Sequence, residues 1–340
     1  MAGTPGFQTI FFEKLRDLIR SNVRLAQEVA DVLNLSLDGA YRRIRNETPL
    51  RVDEMAILCK KFGVSVDELM LDNHQAIVTF QTSRLDESAT FEDYLQQMTR
   101  EISSIHQYGV NKCYFAAKDI PVHHLFQFPE LVLFKMFFWQ KSIFNRPQLA
   151  DQRFSTAPRT DSERQCIELC RQIADKYAII PTTEIWNDET VSSFFKQLLY
   201  YYDSGWFETR EDAVRLIDAV ERFFTHLQEE AKAGYKYLYD AKPQNPRIDN
   251  FDLYYNDLIV IDNIISIIFR DDSARTYLVY RSIEYMGTAN QHFCKQMNSW
   301  LETQTSRSVL ISRVSELQRN RFFRTIQDRV TEARRRIEQG

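Results

Sequence analysis

Few side chains in this 340-residue sequence are spaced for catalysis or metal binding. His123 and His124 are adjacent, whereas a zinc-binding helix needs two histidines four residues apart with a glutamate between them. Cys166 and Cys170 have the four-residue spacing, but no matching His or Cys pair lies nearby and both fit an apolar helix stripe. Neither Gly-x-Gly nor Gly-x-Ser-x-Gly occurs, which removes two common catalytic motifs. We expect no catalytic residue, no metal and no cofactor.

The composition is that of a packed intracellular protein. Apolar residues make up 44% and aromatic residues 13%, and the net charge is −4, so no overall positive field attracts nucleic acid or an acidic membrane. The five cysteines are few and odd in number, which favours reduced thiols over a disulfide framework. Neither a signal peptide nor an apolar run of about 18 residues is visible. We expect a cytoplasmic protein without membrane contact.

The most directed polar chemistry lies in residues 34–52, where four arginines face only two acids. The spacing predicts a helix over 36–45 with one apolar face, made of Leu37, Tyr41 and Ile44. The opposite face holds Asp38, Gly39, Arg42 and Arg45, with Arg43 at its margin. Arginine presents a fork of donors that matches guanine or phosphate, so this face suits the major groove of DNA. The plainer interpretation is that these arginines only solvate an exposed helix.

Five short helices are expected to carry this face, over residues 7–20, 25–33, 36–45, 52–62 and 65–71. In the second of them, Leu25, Val29, Val32 and Leu33 supply the inward stripe. The motifs Leu25-Ala26-Gln27-Glu28-Val29-Ala30, Leu33-Asn34-Leu35-Ser36, Pro49-Leu50 and Phe62-Gly63-Val64-Ser65-Val66-Asp67-Glu68-Leu69 follow one another. This region of about 65 residues resembles the lambda-repressor-like (Xre-type) helix-turn-helix domain.

The resemblance implies that 36–45 is a recognition helix for double-stranded DNA. Arg42 is the first candidate for a base contact. Asp38, Gly39 and Arg43 lie close to it, and Gln27, Ser36, Arg45 and Asn46 are expected to contact phosphates. Residues 1–72 carry ten basic and eleven acidic side chains, so one domain alone would hold phosphate weakly. We therefore expect a homodimer that binds paired half-sites.

The predicted fold class is mainly α: a five-helix lambda-repressor-like domain over 1–72, a linker over 73–90 and a larger, mostly helical domain over 91–340. Capping-box-like starts at Thr160 and Thr209 open two of its helices. The other helices are expected at about 91–106, 129–143, 189–202, 288–304 and 308–337. A stretch rich in Tyr, Ile and Val predicts a short antiparallel β-meander with strands near 253–261, 264–270 and 275–280.

Two segments of the larger domain permit more than one interpretation. The aromatic stretch Tyr114–Trp139 is a core segment or, together with Tyr254 and Tyr255, the wall of an effector cavity. Residues 307–336 contain nine arginines and three acids. The helix predicted here is expected to have one apolar face, made of Val309, Leu310, Val314, Leu317, Phe322, Ile326 and Val330. Such a basic amphipathic helix is solvated with internal ion pairs, or dimerises the chain, or contacts the DNA backbone.

These observations predict a bacterial one-component transcription regulator, in which the larger domain dimerises the chain and senses a small-molecule or peptide effector. The larger domain contains the stretches Phe126-Gln127-Phe128-Pro129-Glu130 and Ser315-Glu316…Arg319…Arg321-Phe322-Phe323. By these stretches, residues 110–330 faintly resemble the companion region of some bacterial Xre-type regulators, a likeness that implies no known ligand. A second interpretation is a peptide- or small-molecule-sensing interaction protein. A third is a DNA-tethered effector or defence protein, which would need a convergent polar cluster in a cleft.

Overall fold

The computed structural model describes residues 6–19, 22–70, 77–82, 90–241, 249–258, 262–280 and 283–339. The chain divides into two compact units, Met1–Gln81 and Thr82–Gly340, called here the N-terminal unit and the C-terminal unit. The division falls inside the segment 73–90, which the sequence predicts to be a linker. Residues 73–76 and 83–89 of that segment lie outside the described residues.

The described part of the N-terminal unit contains five helices close to the predicted positions. They are α1 (Phe7–Ile19), α2 (Asn22–Leu33), α3 (Leu37–Ile44), α4 (Val52–Phe62) and α5 (Val66–Met70). Their shared core is formed by Phe11, Phe12, Leu15, Leu25, Ala26, Val29, Ala30, Ala40, Ile44, Leu58 and Val64. Each helix is too short to be stable alone, so this common core holds all five in place.

The C-terminal unit contains the remaining elements. Its helices are α6 (Phe91–Tyr108), α7 (Val122–Leu125), α8 (Pro129–Phe138), α9 (Asp161–Ala178), α10 (Asp188–Asp203), α11 (Arg210–Ala233), α12 (Gln291–Ser306) and α13 (Glu316–Gln339). One π-helical turn, Trp139–Ile143, continues α8. The strands are β1 (Gln81–Thr82), β2 (Val110–Ala117), β3 (Thr182–Trp186), β4 (Phe251–Tyr255), β5 (Ile264–Phe269), β6 (Ala274–Tyr280), β7 (Glu284–Thr288) and β8 (Val309–Leu310). The strand β1 straddles the division between the units.

The predicted fold class is wrong for this unit, because these strands form one mixed eight-stranded sheet in the order β1-β7-β6-β5-β2-β3-β4-β8. Strands β2, β3 and β4 run parallel, joined by helical crossovers. Strands β5, β6 and β7 form an antiparallel meander beside β2. The first strand predicted for the meander belongs elsewhere: β4 pairs with β3 and β8. Residues 259–261 of that prediction lie outside the described residues.

Helices cover both faces of the sheet. Cys113, Phe115 and Ala117 of β2 pack in the main core with α6, α8, α9, α10, α11 and α13. Tyr114 and Ala116 point the other way, into a smaller cluster with Leu301 of α12. A sheet that is buried on both faces has nearly continuous apolar strands, which is the pattern in β2.

The predicted caps of α9 and α11 are confirmed. Thr160 accepts a hydrogen bond from the Glu163 amide, and the Glu163 carboxylate accepts one from the Thr160 amide, which completes a capping box. Thr209 accepts from the Asp212 amide. Such caps satisfy amide groups that have no partner within the helix. They fix where these helices begin and therefore which face each one buries.

The predicted C-terminal helix over 308–337 begins too early. Residues 309–310 form β8, and the helix α13 starts only at Glu316. Val309, Val314 and Leu317, expected on its buried face, are exposed. Phe322, Ile326 and Val330 of the predicted face are buried, and Phe323, Ala333 and Ile337 complete the buried face. Across the described ranges, no helix has an apolar stretch sufficient to cross a membrane.

Candidate nucleic-acid interface and ligand cavity

The second and third helices of the N-terminal unit are joined by a tight turn. Asn34 adopts a left-handed conformation with φ 52°, which asparagine tolerates better than most residues. The Ser36 hydroxyl then accepts a hydrogen bond from the Gly39 amide and caps α3. Ala40 and Ile44 anchor α3 in the core. The turn, the cap and these two anchors fix which side of α3 faces outward.

The outer face of α3 differs from the prediction at one residue. Leu37, expected on the inward face, is 44% exposed, and Ala40 is buried in its place. Asp38 and Arg42 lie on the outer face and form an exposed ion pair of 2.9 Å, in which the arginine side chain is 59% exposed. The exposed surface of α3 therefore combines one apolar and two charged side chains. Sequence periodicity missed Leu37 because an eight-residue helix spans little more than two turns.

Arg43 is held inside the N-terminal unit. Its Nε and Nη2 atoms donate to the two carboxylate oxygens of Glu54 at 3.0 and 2.7 Å, and its Nη1 donates to the Gly39 carbonyl. The side chains of Arg43 and Glu54 are only 15% and 16% exposed. The hydrogen bond from Arg43 lowers the pKa of Glu54. Arg43 thus joins α3 to α4 rather than extending into solvent.

The residues that are predicted to contact phosphates, Gln27, Ser36, Arg45 and Asn46, are exposed. Each has a partner within the N-terminal unit. Gln27 donates to Asp31, Arg45 pairs with Glu47 at 3.1 Å, and Asn46 donates to Thr9. Within residues 34–52, the fourth arginine, Arg51, pairs with Asp53. Local acids therefore compensate all four positive charges of this segment.

Sequence reasoning missed one residue that shapes this surface. The Gln8 side chain donates to the carbonyls of Arg43 and Thr48 and accepts from the Leu50 amide. These contacts connect α1 to the segment that follows α3. Because glutamine in a helix carries no distinctive pattern, nothing in the sequence marks this role.

Replacing Arg43 by Met is expected to destabilise the N-terminal unit by about 1–2 kcal/mol, because a partly buried, two-fold hydrogen-bonded ion pair is lost. Native-state hydrogen exchange of the α3 amides measures the change. Arg45→Met is the control: its ion pair with Glu47 is exposed, so its effect should stay within about 0.5 kcal/mol. Equal effects of both variants would contradict the structural role of Arg43.

The C-terminal unit contains a cavity of about 240 Å³ between α6, α8 and the sheet. Its walls are mainly apolar and include Met98, Ile102, Phe115, Phe138, Trp139, Ile265 and Ile267. The cavity thus uses part of the aromatic stretch 114–139, while Phe126, Phe128, Phe134 and Phe137 belong to the core. Tyr254 and Tyr255, expected in the wall, are not among its lining residues, and Tyr277 and Tyr285 are.

A few polar side chains interrupt this apolar lining. Lys135 is 7% exposed and donates to Gln197 at 2.7 Å. Burial lowers the pKa of Lys135 to about 8. His123 stacks on the Tyr177 ring, and burial lowers the pKa of this imidazole to about 3, which keeps it neutral. The cavity therefore contains one buried amine beside a neutral imidazole, and two acids, Glu101 and Asp119, also line it.

A buried polar network lies next to the cavity and centres on Glu184 of β3. This carboxylate accepts hydrogen bonds from Tyr177 Oη at 2.6 Å, Trp186 Nε1 at 2.9 Å and His124 Nε2 at 2.9 Å. Lys236 lies close and donates to the Thr182 hydroxyl at 2.6 Å. Although burial alone would raise the pKa of Glu184, the His124 ring and Lys236 outweigh it and lower the pKa to about 2.

The arginines of the C-terminal segment are largely engaged within the C-terminal unit. Arg334 pairs with Asp218 and Glu221, Arg336 with Asp203, and Arg329 with Asp188. Arg313 pairs with Asp249 and Asp252. All of these acids lie on other elements, so the ion pairs join the segment to the rest of the C-terminal unit. The three roles that the sequence permits for this helix stay predictions.

Comparisons with protein-family models, with curated proteins and with solved structures found no match for this chain. In the part of the chain that the structure describes, no group of three or more His, Cys, Asp and Glu side chains has a geometry that could hold a metal ion. Function is therefore inferred from the geometry of the α3 surface and of the cavity.

Proposed function

We propose that the chain is a sequence-specific DNA-binding regulator and that α3 enters the major groove. The observation that carries the proposal is the outer face of α3, where Leu37, Asp38 and Arg42 project from a helix anchored by Ala40 and Ile44. An α-helix fits the major groove, where arginine contacts guanine and apolar groups contact the thymine methyl. Arg42 and Leu37 supply those two kinds of contact.

The ion pair between Arg42 and Asp38 is compatible with this role. Exposed ion pairs contribute at most about 1 kcal/mol, so Arg42 can exchange Asp38 for a guanine at little cost. Arg43 fixes α3 against α4 through Glu54.

Phosphate contacts come from the flanks of α3. The Ser36 hydroxyl oxygen accepts a hydrogen bond from the Gly39 amide. Its own O–H group can still donate a hydrogen bond to a phosphate. Gln27, Arg45 and Asn46 are exposed and have weak local partners that a phosphate can replace. Because acids compensate the arginines, one N-terminal unit binds weakly, and two copies of the chain act together on paired half-sites.

We expect Arg42→Ala to lose about 1–3 kcal/mol of binding to the preferred DNA sequence and little on random duplex, because a base contact is lost and phosphate contacts remain. The preferred sequence is obtained by selection from a random duplex pool with the full chain. Affinities are then measured by mobility shift at two salt concentrations, with a chain lacking residues 1–75 as the blank.

Arg164→Ala is the matched control, because this arginine is 57% exposed and pairs with Asp161 on its own helix in the C-terminal unit. It should bind DNA like the unchanged protein. An equal loss on selected and random DNA would assign Arg42 to phosphate. No enriched sequence, or no difference on removing residues 1–75, would contradict DNA recognition by α3.

A further inference from the structure

We propose that the cavity of the C-terminal unit is a binding site for an apolar monocarboxylate of about ten non-hydrogen atoms, with Lys135 as the group that holds its carboxylate. The inference concerns a different site from α3 and stands whether or not the chain binds DNA.

The Lys135 side chain has fewer hydrogen-bond partners than it has donors. Its ammonium has three N–H donors, and its hydrogen bond among the described residues goes to the Gln197 side-chain oxygen. Phe138 and Phe194 present ring faces 5.8 and 4.9 Å from Nζ. No described carboxylate lies within 4.0 Å of this nitrogen. A buried cation normally has a paired, hydrogen-bonded anion. Asp119 acts on Lys135 through its charge but not through a hydrogen bond, so the place of a hydrogen-bonded anionic acceptor is open.

The two acids in the lining, Asp119 and Glu101, differ from Lys135 in their partners. Asp119 already accepts from Asn263 Nδ2 at 3.3 Å, and Glu101 accepts from the Tyr277 hydroxyl at 3.4 Å. Both carboxylates therefore have protein donors, while Lys135 lacks a carboxylate. This asymmetry favours an anionic ligand over an amine.

The volume and the lining of the cavity determine the size and the polarity of the ligand. A dry cavity of about 150 Å³ accommodates benzene, so by proportion 240 Å³ accommodates about ten non-hydrogen atoms. The rest of the lining is mostly Ile, Val, Met and aromatic side chains, interrupted by Glu101, Asp119 and Asn263, typical of a small-molecule site with few polar anchors. Octanoate and phenylacetate each have the required size. Both have one carboxylate, and their apolar parts are aliphatic in octanoate and aromatic in phenylacetate.

Isothermal titration of the full chain tests the proposal with four probes: octanoate, phenylacetate, octanol and octylamine. We expect saturable one-to-one binding of at least one carboxylate, and weaker binding of octanol and octylamine. Whichever carboxylate binds more tightly identifies an aliphatic or an aromatic source. Tighter binding of octylamine, or no binding of either carboxylate, would overturn the proposal.

Lys135→Met tests the anchor, because methionine keeps the stem of the side chain and removes the charge. We expect the affinity for the carboxylate to fall about ten-fold or more, since a charge-assisted hydrogen bond is lost, with octanol unaffected. Lys196→Met is the control: this lysine is exposed and pairs with Glu189. Unchanged carboxylate binding in folded Lys135→Met protein would refute Lys135 as the anchor.

Met98→Trp provides a second variant that leaves the charge in place. Met98 lines the cavity, and the larger ring should fill part of it and weaken every probe that binds there. Full binding by this variant would show that the carboxylate binds elsewhere. Thermal unfolding of each variant verifies that the C-terminal unit remains folded.

Discussion

Glu184→Gln is expected to destabilise the C-terminal unit by about 3–5 kcal/mol, because it removes the anion from a buried, hydrogen-bonded charge network. Glu184 is fully buried. Its carboxylate receives donors from Tyr177, Trp186 and His124. A glutamine has the same shape but directs an N–H₂ group at one set of these donors. It also removes the stronger of the two negative charges, Glu184 and Glu230, that act on Lys236.

The lowered pKa of Glu184 predicts that the stability of the C-terminal unit depends on pH. The folded pKa of Glu184, about 2, lies below its ordinary value of 4.5. A carboxylate with a lowered folded pKa contributes stability that is present above the unfolded pKa and lost as pH falls through the folded one. The unchanged protein should therefore lose stability between about pH 4.5 and pH 2, and the Glu184→Gln protein should lose less in that window.

Tryptophan fluorescence suits the measurement, because all four tryptophans of the chain lie between residues 139 and 300 and so in the C-terminal unit. Urea unfolding at pH 7 and at several lower pH values gives both predicted effects. Glu189→Gln is the control, since Glu189 is exposed and pairs only with Lys196. A loss below about 1 kcal/mol for Glu184→Gln, similar to the effect expected for surface substitutions, would contradict the role given to this network.

The N-terminal helices could be predicted because their signals are local. Ser36 caps α3, Asn34 forms the turn before it, and Gly63 ends α4 in a left-handed conformation with φ 65°. These residues have strong backbone preferences that act within a few positions. The predicted helices agree with the observed ones to within about three residues, which is the usual uncertainty at helix ends.

The mixed sheet could not be predicted in the same way. Strand β2 is buried on both faces and shows no alternation, and β3 has only five residues. A short apolar run of this kind has no periodicity that separates a strand from a buried helix. Its pairing partners are distant in the sequence: β2 lies between β3 and β5. The order of the strands in the sheet and the register of their pairing depend on tertiary packing, which no local sequence pattern encodes.

The site residues divide along the same line. The exposure of Arg42 follows from its position on the helix, but the capture of Arg43 by Glu54 depends on the packing of α4 against α3. In the C-terminal segment the arginines were visible, but their acids, such as Asp188 and Asp218, lie more than 100 positions away. Charge counts in a sequence window therefore overstate the charge that remains free at the surface.

Phe134→Ala is expected to cost about 3–5 kcal/mol of stability, because it leaves a void in the aromatic core. Phe134 on α8 has no exposed surface. Its ring contacts Phe154, Phe194 and Tyr201 at centroid distances of 5.5 to 5.7 Å. Phe194 and Tyr201 lie on α10, and Phe154 lies in the segment before α9, so relaxation of one element alone cannot fill the space. Urea unfolding followed by tryptophan fluorescence measures the loss.

Phe138→Ala is the matched comparison, one helical turn away on the same helix. Phe138 is partly exposed and lines the cavity, so its removal enlarges an existing space and should cost about 1–2 kcal/mol. It should instead alter carboxylate binding, because the ring is part of the cavity wall beside Lys135. Equal destabilisation by the two variants would mean that α8 does not divide the aromatic segment into a core face and a cavity face. Unequal destabilisation, with ligand binding changed only by Phe138→Ala, would show that one helix serves both purposes through side chains four residues apart.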